Sequence, residues 1–347
     1  MTVRLVHDDA HTKANLFATI GPEREGGVAL SGHTDVVPVV GQKWSSDPFT
    51  LTESDDKLIG RGATDMKGFI ACALAATPAF KAANLKVPIH FALSYDEEIG
   101  CLGVRKLIPE LAASLPKPRI VIVGEPTGMK AVGAHKGINV FTTTVTGTDG
   151  HSSRPRAGVN AIAFASEIVR YLYRLSDELA RVGADSGFDP PGTSLNVGTI
   201  SGGTAVNMIA RQCSVHWEFR PVPATDPKTV IARLDEFVER DILPRMRAID
   251  PAAGVTTHMD VSSPPLASDP NSPAVHLACE LNGDNAPGTV SFVCEAGLYH
   301  LAGVPAVVCG PGSIAQAHQP NEYVEIAQLE ACRAFLARLA DWARRGG

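Results

Sequence analysis

The chain predicts an α/β fold interrupted by a smaller α+β insertion, and three observations carry that expectation. Short β-rich runs alternate with helical stretches over residues 1–135, the pattern turns Thr-rich and amphipathic from Gly137, and α/β character returns after a proline-rich connector, Ser262 to Pro273. At 347 residues and 44% apolar content, the chain is long enough for two domains and a substantial core.

Taken in order, Gly27 to Gly32, Ile89 to Tyr95 and Ile120 to Gly124 read as strands, because each is a short apolar run bounded by turn residues. Between the first two, the Ala-rich stretch Met66 to Phe80 reads as a short, largely buried helix. Ile138, Val140 and Phe141 open a strand, and Asn160 to Val182 places Ala161, Phe164, Ile168, Leu172, Leu175 and Leu179 at helical spacing. In Cys213 to Arg220, Val215, Trp217 and Phe219 alternate with His216, Glu218 and Arg220, the period of a strand with one buried face. Asp226 and Pro227 then cap a second helix running through Val238. Two strands and two helices make up the insertion, and Val255 to Val261 is a candidate last strand. Beyond the connector, Val304 to Cys309 is a strand, and Ile326 to Trp342 is a closing helix striped by Leu329, Cys332, Leu336 and Leu339. The expected division is 1–137, 138–264 and 265–347, with the outer two forming one domain. No tandem repeat or low-complexity segment interrupts this pattern.

A net charge of -6 with no Lys/Arg cluster argues against a nucleic-acid partner. The seven cysteines are scattered with no CxxC pair, which fits reduced thiols. Neither a signal-peptide core nor a membrane-length apolar stretch occurs, so a cytoplasmic location with no membrane partner is expected.

Five side chains, His33, Asp65, Glu98, Glu125 and His318, sit where apolar runs give way to turns, and ligands of α/β sheets collect at such strand ends. Each has a bland alternative: Asp65 suits a helix N-cap, and Glu97 beside Glu98 suits a solvated turn. Glu125 has fewer, since a charge ending the run Val121 to Gly124 is costly to bury without a partner. Asp35 lies two residues from His33, so on extended backbone both point to one side. Together these nitrogen and oxygen donors, brought from far-apart chain positions, suit a catalytic site for two zinc ions. Glu97 supplies a spare carboxylate able to activate water. His151, in Gly150 to Ser153, reads as either a functional residue or a polar turn, and Arg220 as a substrate contact or the partner of Glu218. The turn around Gly312 offers backbone N–H groups for a carboxylate, or is simply a glycine turn.

His33-Thr34-Asp35, Gly62 to Gly68, Asp96-Glu97-Glu98, Gly124 to Thr127, Gly150 to Ser153 and the loop Gly310 to Val324 together resemble the dizinc amidohydrolase and exopeptidase family. The resemblance covers nearly the whole chain. It implies a mixed-sheet catalytic domain and an inserted lid through which the protein forms a homodimer. It further implies that Asp65 bridges two zinc ions, with cobalt as the alternative metal. His33 and Glu125 would complete one site, Glu98 and His318 the other. Asp35 would orient His33, Glu97 would be the general base, and His151 would stabilise the oxyanion across the dimer interface. Asn207 and Arg220 would grip the substrate's carboxylate or acyl end, although Ala210 stands where relatives usually carry proline. The wording of Trp44 to Phe49, Ser94 to Val104, Ala134 to Gly137, Glu295 to Leu298 and Ser313 to Val324 is similar to a branch that removes acetate from an amino acid. Another N-acylamino acid, an N-succinyl amine, or a non-catalytic metal-binding dimer are the alternatives. Relatives carry helices ahead of the first strand, and this chain is expected either to begin at a misplaced start or to lack those helices and expose apolar surface.

Overall fold

The chain forms two units in the computed structural model, which describes residues 1–183 and 187–347. Met1–His135, Leu266–Val290 and Cys294–Gly347 make the first, and Lys136–Pro265 with Ser291–Val293 the second. At the crossing point His135 and Leu266 pair their backbones antiparallel, each N–H donating to the other's carbonyl at 3.2 and 3.1 Å.

Up to that point run β1 (Thr2–His7), β2 (Ala14–Ile20), β3 (Val28–His33), β4 (Thr52–Ser54), β5 (Lys57–Ile59), α1 (Gly68–Ala82), β6 (Ile89–Ser94), α2 (Val104–Leu107), β7 (Ile120–Pro126) and β8 (Val132–His135). The second unit carries β9 (Ile138–Thr146), β10 (Gly150–His151), α3 (Ala161–Leu179), β11 (Ser194–Gly202), β12 (Met208–Ile209), β13 (Gln212–Arg220), α4 (Pro227–Phe237), α5 (Leu243–Arg247) and β14 (Gly254–Ser263). After the return, α6 (Pro273–Asn282), β15 (Gly288–Val290), α7 (Ala296–Leu301), β16 (Ala306–Gly310), β17 (Tyr323–Glu325) and α8 (Ile326–Arg345) complete the first unit.

In the first unit, eight strands form one mixed sheet in the order β1-β2-β6-β3-β7-β16-β8-β15. The inner strands β6, β3, β7 and β16 are parallel neighbours, so their carboxyl ends share one edge. Alternation sorts their side chains. Val28, Leu30, Ile120 and Ile122 pack with Phe69 of α1, Leu277 of α6 and Phe335 of α8 on one face. Ala29, Val121 and Val123 pack with Val104 of α2 and Tyr299 of α7 on the other. Burial on both faces is why these strands read as continuous apolar runs.

The second unit is a four-stranded antiparallel sheet, β11-β13-β9-β14. Helix α3 buries Phe164, Ile168, Leu172 and Leu175 with Phe141, Val215, Trp217 and Phe219 from the strands. Asn160 caps α3 by accepting from the N–H groups of Ile162 and Ala163, and Asp226 caps α4 by accepting from Lys228 N at 3.0 Å.

Three expectations are corrected. The insertion holds four main strands rather than two: β11, an edge strand with mostly exposed residues, carries too weak an alternation to read. Helix α1 begins at Gly68 and is buried only along Phe69, Ile70, Cys72, Ala73 and Phe80, while Leu74 and Ala75 face outward. β1 and β2 are not among the strands expected, because β1 shows mainly exposed residues and the polar Asn15 and Thr19 interrupt the apolar run of β2. All seven cysteines are free thiols, and among the described residues no helix is long and apolar enough to cross a membrane.

Candidate metal centre

The carboxyl edge of the parallel strands gathers the first unit's candidate ligands. His33 is the last residue of β3, Glu125 lies at the end of β7, and Glu97 and Glu98 follow β6. Asp65 precedes α1, and His318 lies in the loop after β16 with φ of 62°.

Asp65 stands between the two imidazoles. Its Oδ1 is 3.0 Å from His33 Nε2, and its Oδ2 is 3.3 Å from His318 Nε2. Each imidazole nitrogen has a further carboxylate: Glu125 Oε1 at 3.8 Å from His33, and Glu98 Oε2 at 3.1 Å from His318. Two half-sites therefore share Asp65. Donor atoms of His33, Asp65 and Glu98 also lie within 4.8 Å of one another, as do those of His33, Glu97 and Glu125, so the halves abut. Oxygen and imidazole donors with no thiolate suit a catalytic transition metal, and the donor set fits a metal pair.

Asp35 works on both sides of this cluster. The carbonyl of Asp35 is 3.0 Å from His33 Nδ1 and its carboxylate 3.5 Å away, so the ring is held through Nδ1 and presents Nε2 to Asp65. The same carboxylate accepts the backbone N–H groups of Glu97 and Glu98, each at 3.1 Å, and so fixes their turn. Glu97 faces differently from Glu98. Its Oε1 accepts from Cys101 Sγ at 3.2 Å, leaving the other oxygen free of any described protein donor.

The electrostatics are those of donors packed tightly without cations. Burial pushes the Glu97 carboxyl up to about 8, helped by Glu295 and opposed by His33. Burial also raises Glu125 well above the usual carboxylate range, with Asp65 adding to it. Asp65 goes the other way: burial works against ionisation, but hydrogen bonds from His318 and His33 hold its carboxyl well below that range. The hydrogen bond to Asp65, followed by that to Glu98, pushes His318 up to about 10.

Two buried carboxylates at this edge escaped the sequence reading. Glu295, just ahead of α7, accepts from Ser31 Oγ at 3.0 Å and from Ser94 Oγ. Ser94 pairs with His33 in register and Ser31 precedes it by two, so Glu295 braces β3 and β6 beneath the centre. Glu322 accepts from the loop that carries Asp65. A charge following Phe292 to Cys294, and another four residues after His318, were the available signals.

Gly312 belongs to this edge, but its N–H donates to Gln328 Oε1 at 3.3 Å. Its φ is +87°, and a Cβ there would lie 1.8 Å from Thr64 Oγ1, so the position demands the missing side chain. In the second unit, β10 pairs with β12, setting His151 opposite Met208, and Ser152 N donates to Asn207 O at 3.0 Å. His151 and Asn207 are thus neighbours on one exposed corner. Arg220 Nε donates to Glu218 Oε1 at 3.1 Å, the local pair that its spacing also allowed.

The pattern of peptidase family M20/M25/M40 matches residues 29–342. The chain belongs to that family. An acetylornithine deacetylase of Myxococcus xanthus is 40% identical over 341 residues, 95% of this chain and 84% of the relative. One of Pasteurella multocida is 36% identical, over 96% of this chain and 84% of the relative. Among solved structures, the M20 family metallo-carboxypeptidase Sso-CP2 of Sulfolobus solfataricus superposes with a TM-score of 0.76 at 20% identity, covering 99% of this chain and 90% of that one. Membership places the chain among metal-dependent hydrolases, and the metallo-exopeptidase fold read from its motifs is the fold observed.

Proposed function

We propose that the protein hydrolyses the amide of N2-acetyl-L-ornithine to L-ornithine and acetate, using two zinc ions held by His33, Asp65, Glu98, Glu125 and His318. The placement of Asp65 between two imidazoles, each with its own carboxylate, carries the dimetal reading. The choice of substrate is supported by relatives named acetylornithine deacetylase at 36–40% identity over nearly the whole chain. Bound there, zinc would polarise the amide carbonyl and acidify water at the site.

The chain's own residues supply the proton movements. Glu97, turned away from the His318 half-site and with one oxygen available, accepts a proton from the attacking water as its oxygen bonds to the acyl carbon. It then delivers that proton to the departing nitrogen as the C–N bond breaks, leaving acetic acid and the amine, and the remaining carboxyl proton passes to the amine or solvent to give acetate. Asp35 keeps His33 and the Glu97–Glu98 turn in register throughout. We assign His151 to the oxyanion and Asn207 and Arg220 to the substrate's carboxylate or acyl end, on the family resemblance. A homodimer through the second unit fits the outer edge of β11, which pairs only with β13 among the described residues and exposes Ile200.

Initial rates against a panel of N-acetyl, N-formyl and N-succinyl amino acids test the substrate. Preference for acetylornithine is expected. Preference for an N-succinyl amine would move the protein to another branch, and two bound zinc ions without turnover of any acyl-amide would mean a non-catalytic dimer.

A further inference from the structure

Glu322 donates nothing to the centre and is no ligand of it, yet it is the most completely used carboxylate near it. It is 1% exposed, and its four acceptor positions are filled. Oε2 accepts from Arg61 Nη1 at 2.6 Å and from Gly62 N at 3.0 Å, while Oε1 accepts from Thr64 N at 3.0 Å and Asp65 N at 3.1 Å. A carboxylate offers about four lone-pair sites, so no capacity is left for a metal. Arg61 carries the link onward. Its Nη2 donates to Gln42 Oε1 at 2.5 Å, and Gln42 Nε2 donates to the carbonyl of His318 at 2.8 Å. Trp44 steadies the joint: its Nε1 donates to Gln42 Oε1 at 3.0 Å, and its ring lies 5.1 Å from the Arg61 guanidinium carbon.

We propose that Glu322, acting with Arg61 and Gln42, is a positioning residue that sets the Asp65 loop and the His318 loop in one fixed relation before any metal arrives. This rests on the reading that the centre takes metal. Two ligands more than 250 residues apart in sequence would otherwise be placed by independent loops. The clamp holds the peptide N–H of Asp65 itself, and the Asp65 carboxylate reaches both imidazoles, at 3.0 and 3.3 Å. Stability alone is a poor reason for such a group, because desolvating a buried ion pair costs about as much as its attraction returns. Preorganised donors, by contrast, raise metal affinity directly, and partners behind metal ligands are typically worth about 10–100-fold. Glutamine cannot replace Glu322, since its amide NH2 would face two N–H donors.

Zinc affinity measured by chelator competition tests this, with wild type, Glu322→Gln and Gln42→Ala compared after far-UV circular dichroism has established that each is folded. Glu322→Gln is expected to lose about 10–100-fold in zinc affinity. Gln42→Ala leaves the ion pair in place and is expected to lose about tenfold at one of the two zinc sites. At saturating zinc, kcat falls in both variants while KM stays within about twofold, a split that loosened packing at large does not produce. Wild-type affinity in folded Glu322→Gln, or in Gln42→Ala should the first variant not fold, overturns the clamp and leaves the metal reading intact. A wild-type protein that takes up no zinc overturns both.

Discussion

Adjacent carboxylates at the centre do different work because their neighbours differ. Glu98 faces His318 at 3.1 Å, whereas Glu97 turns to the Cys101 thiol. Glu97→Gln should therefore keep two zinc ions per chain, by metal analysis, while kcat falls by about 10²–10⁴-fold; unchanged turnover would remove Glu97 from the mechanism. Metal uptake should also release protons. His318, raised to about 10 by Asp65 and then Glu98, is protonated at pH 8 in the metal-free protein and must give up that proton to bind zinc. Calorimetric titration in buffers of different ionisation enthalpy should show net release at pH 8, and a buffer-independent enthalpy would contradict it. The sign for stability follows: in the metal-free protein, the contribution of His318 is full below about 6.5, its ordinary value, and is lost as pH rises through about 10. His90 has the opposite sign. Burial pushes it down to about 4, with its ring between Thr19 Oγ1 at 2.9 Å and the Gly26 carbonyl at 3.0 Å. Folding favours its neutral form, so stability is full above about 6.5 and declines toward pH 4, by about 3 kcal/mol. Denaturation curves of His90→Gln between pH 7 and 4 should be flatter than wild type. The five candidate ligands were legible because they lie in turns that follow apolar runs or open a helix, and in motifs that resemble the family's. Glu322 and Glu295 were not, since what they bind is backbone N–H groups and serine hydroxyls distant in the chain, which spacing cannot reveal.

At the level of elements, legibility followed burial. β3 and β7 are covered on both faces and stood out as apolar runs, and β13 stood out through the alternation of Val215, Trp217 and Phe219. β1 and β11 lie at sheet edges, where one exposed face and one exposed flank erase both signals. β13 is also where the second unit is most sensitive. Trp217 is 1% exposed, stacks on Phe141 with centroids 4.6 Å apart, and donates to Thr143 Oγ1 at 3.0 Å. Trp217→Ala should cost about 3–5 kcal/mol, and Trp217→Phe less because it keeps the stacking; urea denaturation checks the order, and equal losses would place the weight on the indole hydrogen bond instead.

For the molecule as a whole, an α/β unit opens between His135 and Leu266 to admit a second unit, and the chain returns to supply β16 and the His318 loop. Four of the five proposed ligands precede the insertion and one follows it, so the centre exists only when both stretches of the first unit have folded together. The change of composition at Gly137 made the interruption readable, while the path of the insertion's edge strand did not show. One measurement bears on all of this: kcat/KM of the zinc-loaded protein for N2-acetyl-L-ornithine beside N-succinyl-L,L-diaminopimelate, with bound zinc counted in the same sample. Two zinc ions per chain and at least tenfold preference for acetylornithine, about 1.4 kcal/mol in transition-state binding, are predicted. Two zinc ions with the succinyl substrate preferred, or with neither hydrolysed, would contradict the proposed function.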